Sequence, residues 1–357
     1  MSKFNIEKTK ESGISGIDWN NLRFGVYFSD HIFVSDYSDG KWDGGKIEPY
    51  RAMPIEPGLC TLHYGQTIFE GLKAFKSAKG GANIFRPDMN AKRLNNSAKM
   101  VCLPEFDEET LIEGIKELIT LDKQWIPQER GQSLYIRPVM FGSSNFLGVT
   151  ASPTARLIVM TSPVASYYAE GLKPVKILVT TEYVRAVKGG VGMAKTAANY
   201  AASLKAGMEA HQKGFSQVLW LDGVNRKDID EVGAMNIMFV IDGELITPSL
   251  EKGSILPGVT RNSVLILAKE MGMKVTERNI SINEVIDAHK KGILNEVFGT
   301  GTAAVISPVG MLSYLDKEYI INNMEIGPVA QKFYDIITSI QYGEVEDTRN
   351  WIVHLDF

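Results

Sequence analysis

Hydrophobic positions along the chain recur with two different periods, and the elements they predict follow one another in no regular order. Leu111, Ile112, Ile115, Leu118 and Ile119 repeat at helical spacing after Asp107, and a helix opened by Pro87 is predicted from about Asn90 to Val101. Thr196–Gln212 and Thr260–Met271 read as further helices, the second with Gly272 at its end. Ser281 and Glu284 form a capping box for another. Strand-like runs occur at Phe24–Phe28, His31–Val34, Ser133–Phe141, Ala155–Thr161, Val175–Thr180 and Gln217–Leu221. Asn236–Ile241 and Glu244–Ile246 predict a hairpin across Asp242-Gly243, a dipeptide suited to a turn with positive φ at both central residues. Leu294–Phe298 and Ala303–Ile306 flank a Gly-Thr-Gly turn, and the first ~20 residues read as a polar, irregular arm. Strands and helices mix without the alternation of a doubly wound sheet, so the class is α+β.

At 357 residues the chain exceeds what one core usually supports, which predicts two domains. The stretch Ser162–Pro174, with two prolines and Gly171, marks the boundary: a small domain with the arm over residues 1–161, a linker over 162–174 and a large domain over 175–357. Hydrophobic residues at 44% supply material for packed cores, and a net charge of −4 gives no general attraction to nucleic acid or anionic membrane. No apolar run approaches the ~18 residues of a membrane span. The opening MSKFNIEKTK has no apolar stretch of the signal-peptide kind, and Cys60 and Cys102 sit among apolar neighbours as reduced thiols would, so the expected location is the cytoplasm.

Metal chemistry is not expected. His31, His63, His211, His289 and His354 are far apart, and neither cysteine belongs to a CxxC pair. No GxSxG, HExxH or Walker loop is present, and the run Gly189-Gly190-Val191-Gly192 alone is weak evidence for a phosphate site. Lys195 carries more information. It is the one charged residue between Gly189 and Leu204, set among Gly, Ala, Val, Met, Asn and Tyr. A lysine is ordinarily a solvated surface group, but one stripped of water loses basicity, and its neutral amine is the nucleophile that Schiff-base chemistry requires. Tyr200 shares this small-residue setting and reads equally as a core tyrosine. Glu231, at the mouth of a core strand, is either the last solvated residue of a loop or an acid aimed at a cationic ring nitrogen. Pro257-Gly258-Val259-Thr260 opens a helix whose N–H groups face an anion or simply a cap. Gly299-Thr300-Gly301-Thr302 is a second hydroxyl-rich turn. Together these are the parts of a pyridoxal phosphate site: an amine, a hydroxyl, an acid and a phosphate cup.

The runs MAKTAANY, EVGAMNIMFV, ILPGVTR and EVFGTGTAAVISPV, in that order, resemble the large domain of the branched-chain amino acid aminotransferases of pyridoxal phosphate fold type IV. LHYGQTIFEGLKAF, FRPDMNAKRL and LYIRPV resemble the small domain, and the likeness covers nearly the whole chain after about residue 50. The resemblance implies transfer of an amino group between L-leucine, L-isoleucine or L-valine and 2-oxoglutarate. It makes Lys195 the lysine that bears the cofactor, Tyr200 the partner of the ring oxygen and Glu231 that of the ring nitrogen. Arg93, Val259, Thr260 and Thr302 become the phosphate cup. Tyr64, Phe69, Tyr135 and the backbone of Ala234 and Ala303 become the substrate pocket, with Arg137 for the side-chain carboxylate of glutamate. Phe146-Leu147-Gly148-Val149 resembles a loop that one subunit of a homodimer lends to the other. Two departures stand out: Ala304 and Ser307 replace a CxxC pair of some animal members, and Ala234 lacks a hydroxyl found in some relatives. The alternatives are a D-amino acid aminotransferase, an aminodeoxychorismate lyase, a protein that stores the cofactor without turnover, or a non-enzymatic scaffold. FEGLKAF and YIRPV favour the branched-chain enzyme, and Tyr135 and Arg137, which would serve a substrate, speak against storage.

Overall fold

The computed structural model describes residues 2–165 and 172–357. They form two compact units. Of these residues, one unit comprises 2–165, 194–197 and 339–357, the other 172–193 and 198–338. The sequence pattern alone assigns all of 175–357 to one domain. The difference lies in pairings that no local pattern announces: Ile352–Leu355 runs antiparallel to Ala82–Phe85, and Thr196 bridges to Ile68. Of the expected linker, Ser162–Val164 belongs to the strand Ala155–Val164, and residues 166–171 lie outside the described residues.

The first unit is built on a mostly antiparallel sheet whose centre is formed by His31–Ser38, Ala155–Val164, Ser133–Gly142 and Leu72–Lys76. Side chains alternate across Ser133–Gly142. Leu134, Ile136 and Met140 enter a core shared with Leu94, Ile115 and Leu118 of the helices Pro87–Met100 and Glu108–Leu121. Tyr135 and Arg137 are thereby left on the other face. The second helix starts where the sequence predicts, and the first begins at Pro87 itself, a turn before the expected Asn90. Pro87 occupies the first turn, where its missing N–H costs nothing, and the Asp107 carboxylate accepts from the Thr110 N–H at 2.8 Å. The N-terminal arm is more ordered than its polarity suggests. Asn5–Ile6 pairs with Lys46–Ile47, and the Phe4 ring meets Phe33 edge-on at 5.2 Å.

Phe24–Phe28 does not form the expected strand. Gly25 turns the chain at φ 68°, Phe24 and Val26 stay exposed, and the aromatic residues make ring contacts instead, Phe24 against Tyr135 and Phe28 stacked on Tyr50. Apolar content there serves ring packing rather than a sheet.

The second unit holds a mixed sheet ordered Ile229–Val232, Gln217–Leu221, Val175–Val179, Val305–Tyr314, Leu294–Gly301, Asn236–Ile241, Glu244–Thr247, Val275–Glu277. The hairpin at Asp242-Gly243 forms with φ of 49° and 75°. Helices Val259–Glu270 and Ile282–Lys290 belong to it, the latter capped by Ser281 on the Glu284 N–H at 3.1 Å. The turn expected at Gly299–Gly301 falls later, at residues 302–304, because the ladder runs on through Gly301 opposite Val305.

Candidate active site

In the first unit, backbone bonds fix Lys195. Its N–H donates to Ser97 Oγ at 2.9 Å, its carbonyl accepts from the Phe69 N–H at 2.9 Å, and Thr196 Oγ1 donates to the Thr67 carbonyl at 2.8 Å. The segment is thus stitched alongside Thr67–Phe69, which places Lys195 Nζ 4.7 Å from the centroid of the Phe69 ring. Lys195 is half-buried. Loss of water pushes its pKa down to about 8, Arg93 acting in the same direction and Glu70 against it. An amine this weakly basic spends a useful fraction of its time neutral at physiological pH.

Arg93 does not stand alone. Its Nε donates to Glu70 Oε1 at 2.7 Å and its Nη2 to Glu70 Oε2 at 2.8 Å, the fork geometry of a bidentate pair. Glu70 is fully buried. Burial pushes its carboxyl up, but the Arg93 guanidinium and the hydrogen bonds it receives outweigh this and hold it below the usual carboxylate range. Sequence reasoning misses Glu70, although it stands inside the FEGLKAF run, because nothing local reveals a partner 23 positions away.

On the face of the same sheet opposite the core, Arg137 Nη2 donates to the Tyr135 hydroxyl at 3.0 Å, and the guanidinium carbon lies 4.6 Å from the centroid of the Phe69 ring. Arg137 Nε is buried without a hydrogen-bond partner. Gly71 makes this arrangement possible: a Cβ there would sit 2.1 Å from the Tyr135 hydroxyl oxygen. Phe69, Arg93, Tyr135, Arg137 and Lys195 therefore come together within one unit. Tyr64 is exposed, its hydroxyl donating to the Leu147 carbonyl, and Leu147 and Val149 are 66% and 88% exposed.

In the second unit, Glu231 lies inside the strand Ile229–Val232 rather than in a loop, and it is buried. Its Oε2 meets Arg185 Nη2 at 2.6 Å, while Oε1 accepts from the Leu256 N–H at 3.1 Å and Asn236 Nδ2 at 3.3 Å. Three donors make an ionised carboxylate tolerable there. The approach to this strand is fixed by Asp222. Against the desolvation that would raise its pKa, the backbone N–H groups of Val224, Asn225, Lys227 and Asp228 hold it at about 2.

Gly258 begins the helix Val259–Glu270 with no side-chain cap and no acidic residue in the first turn, and Val259 and Thr260 are buried. A Cβ at Gly258 would come 2.0 Å from Asn236 Oδ1. Thr300, directly across the ladder from Asn236, has a buried hydroxyl oxygen without a partner. An uncapped, dipole-positive turn beside an unsatisfied hydroxyl suits an anionic group such as a phosphate, so the residues present fit the cofactor implied above. Thr302 and Ala303 are half-buried in the turn that follows, Ala234 is exposed beside Gly233, and Tyr200 is half-buried on the helix Ala197–Gln212. Arg185 is not singled out by the sequence as a site residue, and Thr300 is named there only as part of a hydroxyl-rich turn. Among the described residues no group of three or more His, Cys, Asp or Glu could hold a metal ion, and no helix is long and apolar enough to cross a membrane.

Residues 67–311 match the family described as amino-transferase class IV. The chain is 56% identical over 335 residues to branched-chain-amino-acid aminotransferase 2 of Bacillus subtilis (strain 168), an alignment that covers 94% of this chain and 92% of that protein. It is similar to the crystal structure of the Escherichia coli branched-chain amino acid aminotransferase, with TM-score 0.77 and 28% identity, covering 92% of this chain and 99% of that one. It is also similar to the T.th. branched-chain amino acid aminotransferase complexed with N-(5'-phosphopyridoxyl)-L-glutamate, with TM-score 0.74 and 27% identity over 91% of this chain and 98% of that one. With a family match across most of its length and more than half of its residues shared with a full-length relative, this chain belongs to the class IV aminotransferases, and within them to the pyridoxal phosphate-dependent branched-chain amino acid aminotransferases.

Proposed function

We propose that Lys195 carries the cofactor while this enzyme moves the amino group between L-leucine, L-isoleucine or L-valine and 2-oxoglutarate. The observation that carries this reading is the Lys195 amine itself, weakly basic and held by backbone bonds beside Phe69, Arg93 and Arg137. When bound, pyridoxal phosphate supplies a carbonyl that condenses with amines and a ring that draws electrons from the substrate Cα. The protein does the rest. Lys195 Nζ takes the proton released at Cα and returns it, Glu231 holds a proton at the ring nitrogen, and Tyr200 hydrogen-bonds the ring oxygen. Val259, Thr260 and Thr302, with Arg93, bind the phosphate. The phosphopyridoxyl-glutamate adduct held by a protein of similar fold supports glutamate as the amino partner.

The pocket must accept an isobutyl group in one half-reaction and a propionate carboxylate in the other. Tyr64, Phe69 and Tyr135, with the backbone of Ala234 and Ala303, are proposed to receive the aliphatic chain, whose burial contributes roughly 1.5–3 kcal/mol. Arg137 reads the carboxylate, since its Nε has no partner and the Tyr135 hydroxyl already holds its Nη2. A charge-assisted pair there is worth roughly 1.5–3 kcal/mol. Arg137→Met is expected to lower kcat/KM for glutamate and 2-oxoglutarate at least about tenfold, the equivalent of ~1.4 kcal/mol, while largely sparing leucine. Steady-state rates with both substrate classes decide the matter. Equal losses would mean that Arg137 only braces the strand Ser133–Gly142.

The proposed assembly is a homodimer in the cytoplasm. Leu147 and Val149 stand in solvent at a loop tip that is costly to leave wet, and a second subunit would cover them as they close its pocket. Light scattering at assay concentration is expected to give twice the chain mass, and a fully active monomer would rule the dimer out.

A further inference from the structure

We propose that Glu70, fixed in place by the Arg93 fork, is a positioning residue whose negative charge helps the Lys195 amine hold a proton. The inference rests on the reading of Lys195 given above, and goes beyond it to a residue with no assigned part in the reaction. Glu70 follows directly on the strand Thr67–Phe69, the segment whose Phe69 N–H is bonded to the Lys195 carbonyl. Its own N–H donates to the Pro138 carbonyl at 2.8 Å, which anchors it to the strand that bears Tyr135 and Arg137. Both carboxylate oxygens are engaged: Oε1 with Arg93 Nε, and Oε2 with Arg93 Nη2, with Asn90 Nδ2 at 2.7 Å and with the Gly71 N–H at 3.1 Å. A carboxylate gripped this way cannot swing, and neither can the guanidinium forked onto it.

Its electrostatic effect follows from what faces the lysine. Arg93 comes from the helix Pro87–Met100, Arg137 and Tyr135 from the strand Ser133–Gly142, and Glu70 from the bend after Thr67–Phe69. Burial and the two guanidinium groups disfavour a proton on Nζ, while Glu70 and Tyr135 favour it, Glu70 more strongly. The mutual attraction acts in both directions, since Lys195 also holds the Glu70 carboxyl down. Without Glu70 the amine would face two fixed cations and lose the offset that this carboxylate provides. It would then be neutral for more of its time at physiological pH and would hold the proton taken from Cα less well. Glu70 thus keeps the group able both to accept and to return that proton.

The test follows carbamoylation of Lys195 by cyanate in the cofactor-free, full-length chain, read by peptide mass spectrometry as a function of pH. Cyanate reacts with the neutral amine, so the midpoint reports the proton on Nζ. The native chain is expected to show a midpoint near 8. Removing a negative charge destabilises the ammonium, so Glu70→Gln should lower the midpoint by at least about one unit, a tenfold change in acidity. Glu70→Asp keeps the charge one methylene further back and should lower it by a smaller amount. An unmoved or raised midpoint in folded Glu70→Gln overturns the proposal and leaves Glu70 as a brace for Arg93. If the glutamine protein does not fold, Glu70→Asp decides: a midpoint equal to or above the native one overturns the proposal. A native midpoint at the ordinary lysine value would instead undo the reading of Lys195 itself, which is a separate outcome.

Discussion

Lys195→Ala is expected to abolish transamination, with turnover down by at least about a thousandfold in both half-reactions. Two losses combine. The nucleophilic amine is gone, and with it the group that moves the proton at Cα, a contribution worth ~10²–10⁴ on its own. The fold should survive the change. The bonds that fix this position are the backbone N–H to Ser97 and the backbone carbonyl to Phe69, and alanine keeps both. Among what it loses are the contact of the ammonium with the Phe69 ring, about 0.5–1 kcal/mol, and its attraction to Glu70. A melting temperature close to the native one, with activity absent, is therefore the expected pair of results. Appreciable residual turnover would place the chemistry on another lysine.

Glu231→Gln is expected to leave the cofactor bound and to slow the chemical step at least about a hundredfold. A carboxylate ~3 Å from a protonated ring nitrogen gains on the order of 5 kcal/mol at an effective dielectric of ~20, before desolvation is set against it. A neutral amide offers little of this, so the ring nitrogen would lose its proton and draw electrons from Cα less strongly. The amide also meets three donors built for a carboxylate, Arg185, Asn236 and the Leu256 N–H. One of its own N–H groups would oppose a donor, at a cost of about 1–3 kcal/mol in stability. Rapid mixing with L-leucine separates the two effects, since the rate of the first half-reaction reports chemistry and a melting curve reports folding. A near-normal rate would assign the ring nitrogen to another acid.

Much of this architecture is legible in the sequence because local physics dictates it. Asp107 and Ser281 announce helix starts through their side-chain oxygens, Asp242-Gly243 announces a hairpin through its backbone freedom, and the strand Gln217–Leu221 has the bounds its apolar run suggests. Lys195 stands out for a related reason: a single charge amid small apolar residues is costly unless it is used. What stays hidden is what depends on distant partners. The Arg93–Glu70 fork spans 23 positions, and the pairing of Arg185 with Glu231 joins a loop to a strand through nothing that spacing reveals. The turn expected at Gly299–Gly301 lies a few residues further on because glycines inside a ladder look like glycines in a turn. Here Gly299 and Gly301 instead admit the side chain of Met235, which a Cβ at either would crowd at 3.0–3.1 Å.

Reduction of the cofactor-loaded enzyme with borohydride, followed by peptide mapping, tests the central claim most directly. Reduction makes the link between cofactor and protein permanent and marks the amine that carried it. The account predicts a single pyridoxyl label, on Lys195 in the peptide containing Met193-Ala194-Lys195-Thr196, and loss of that label when L-leucine is added first to convert the cofactor to its amino form. A label on any other lysine would contradict it.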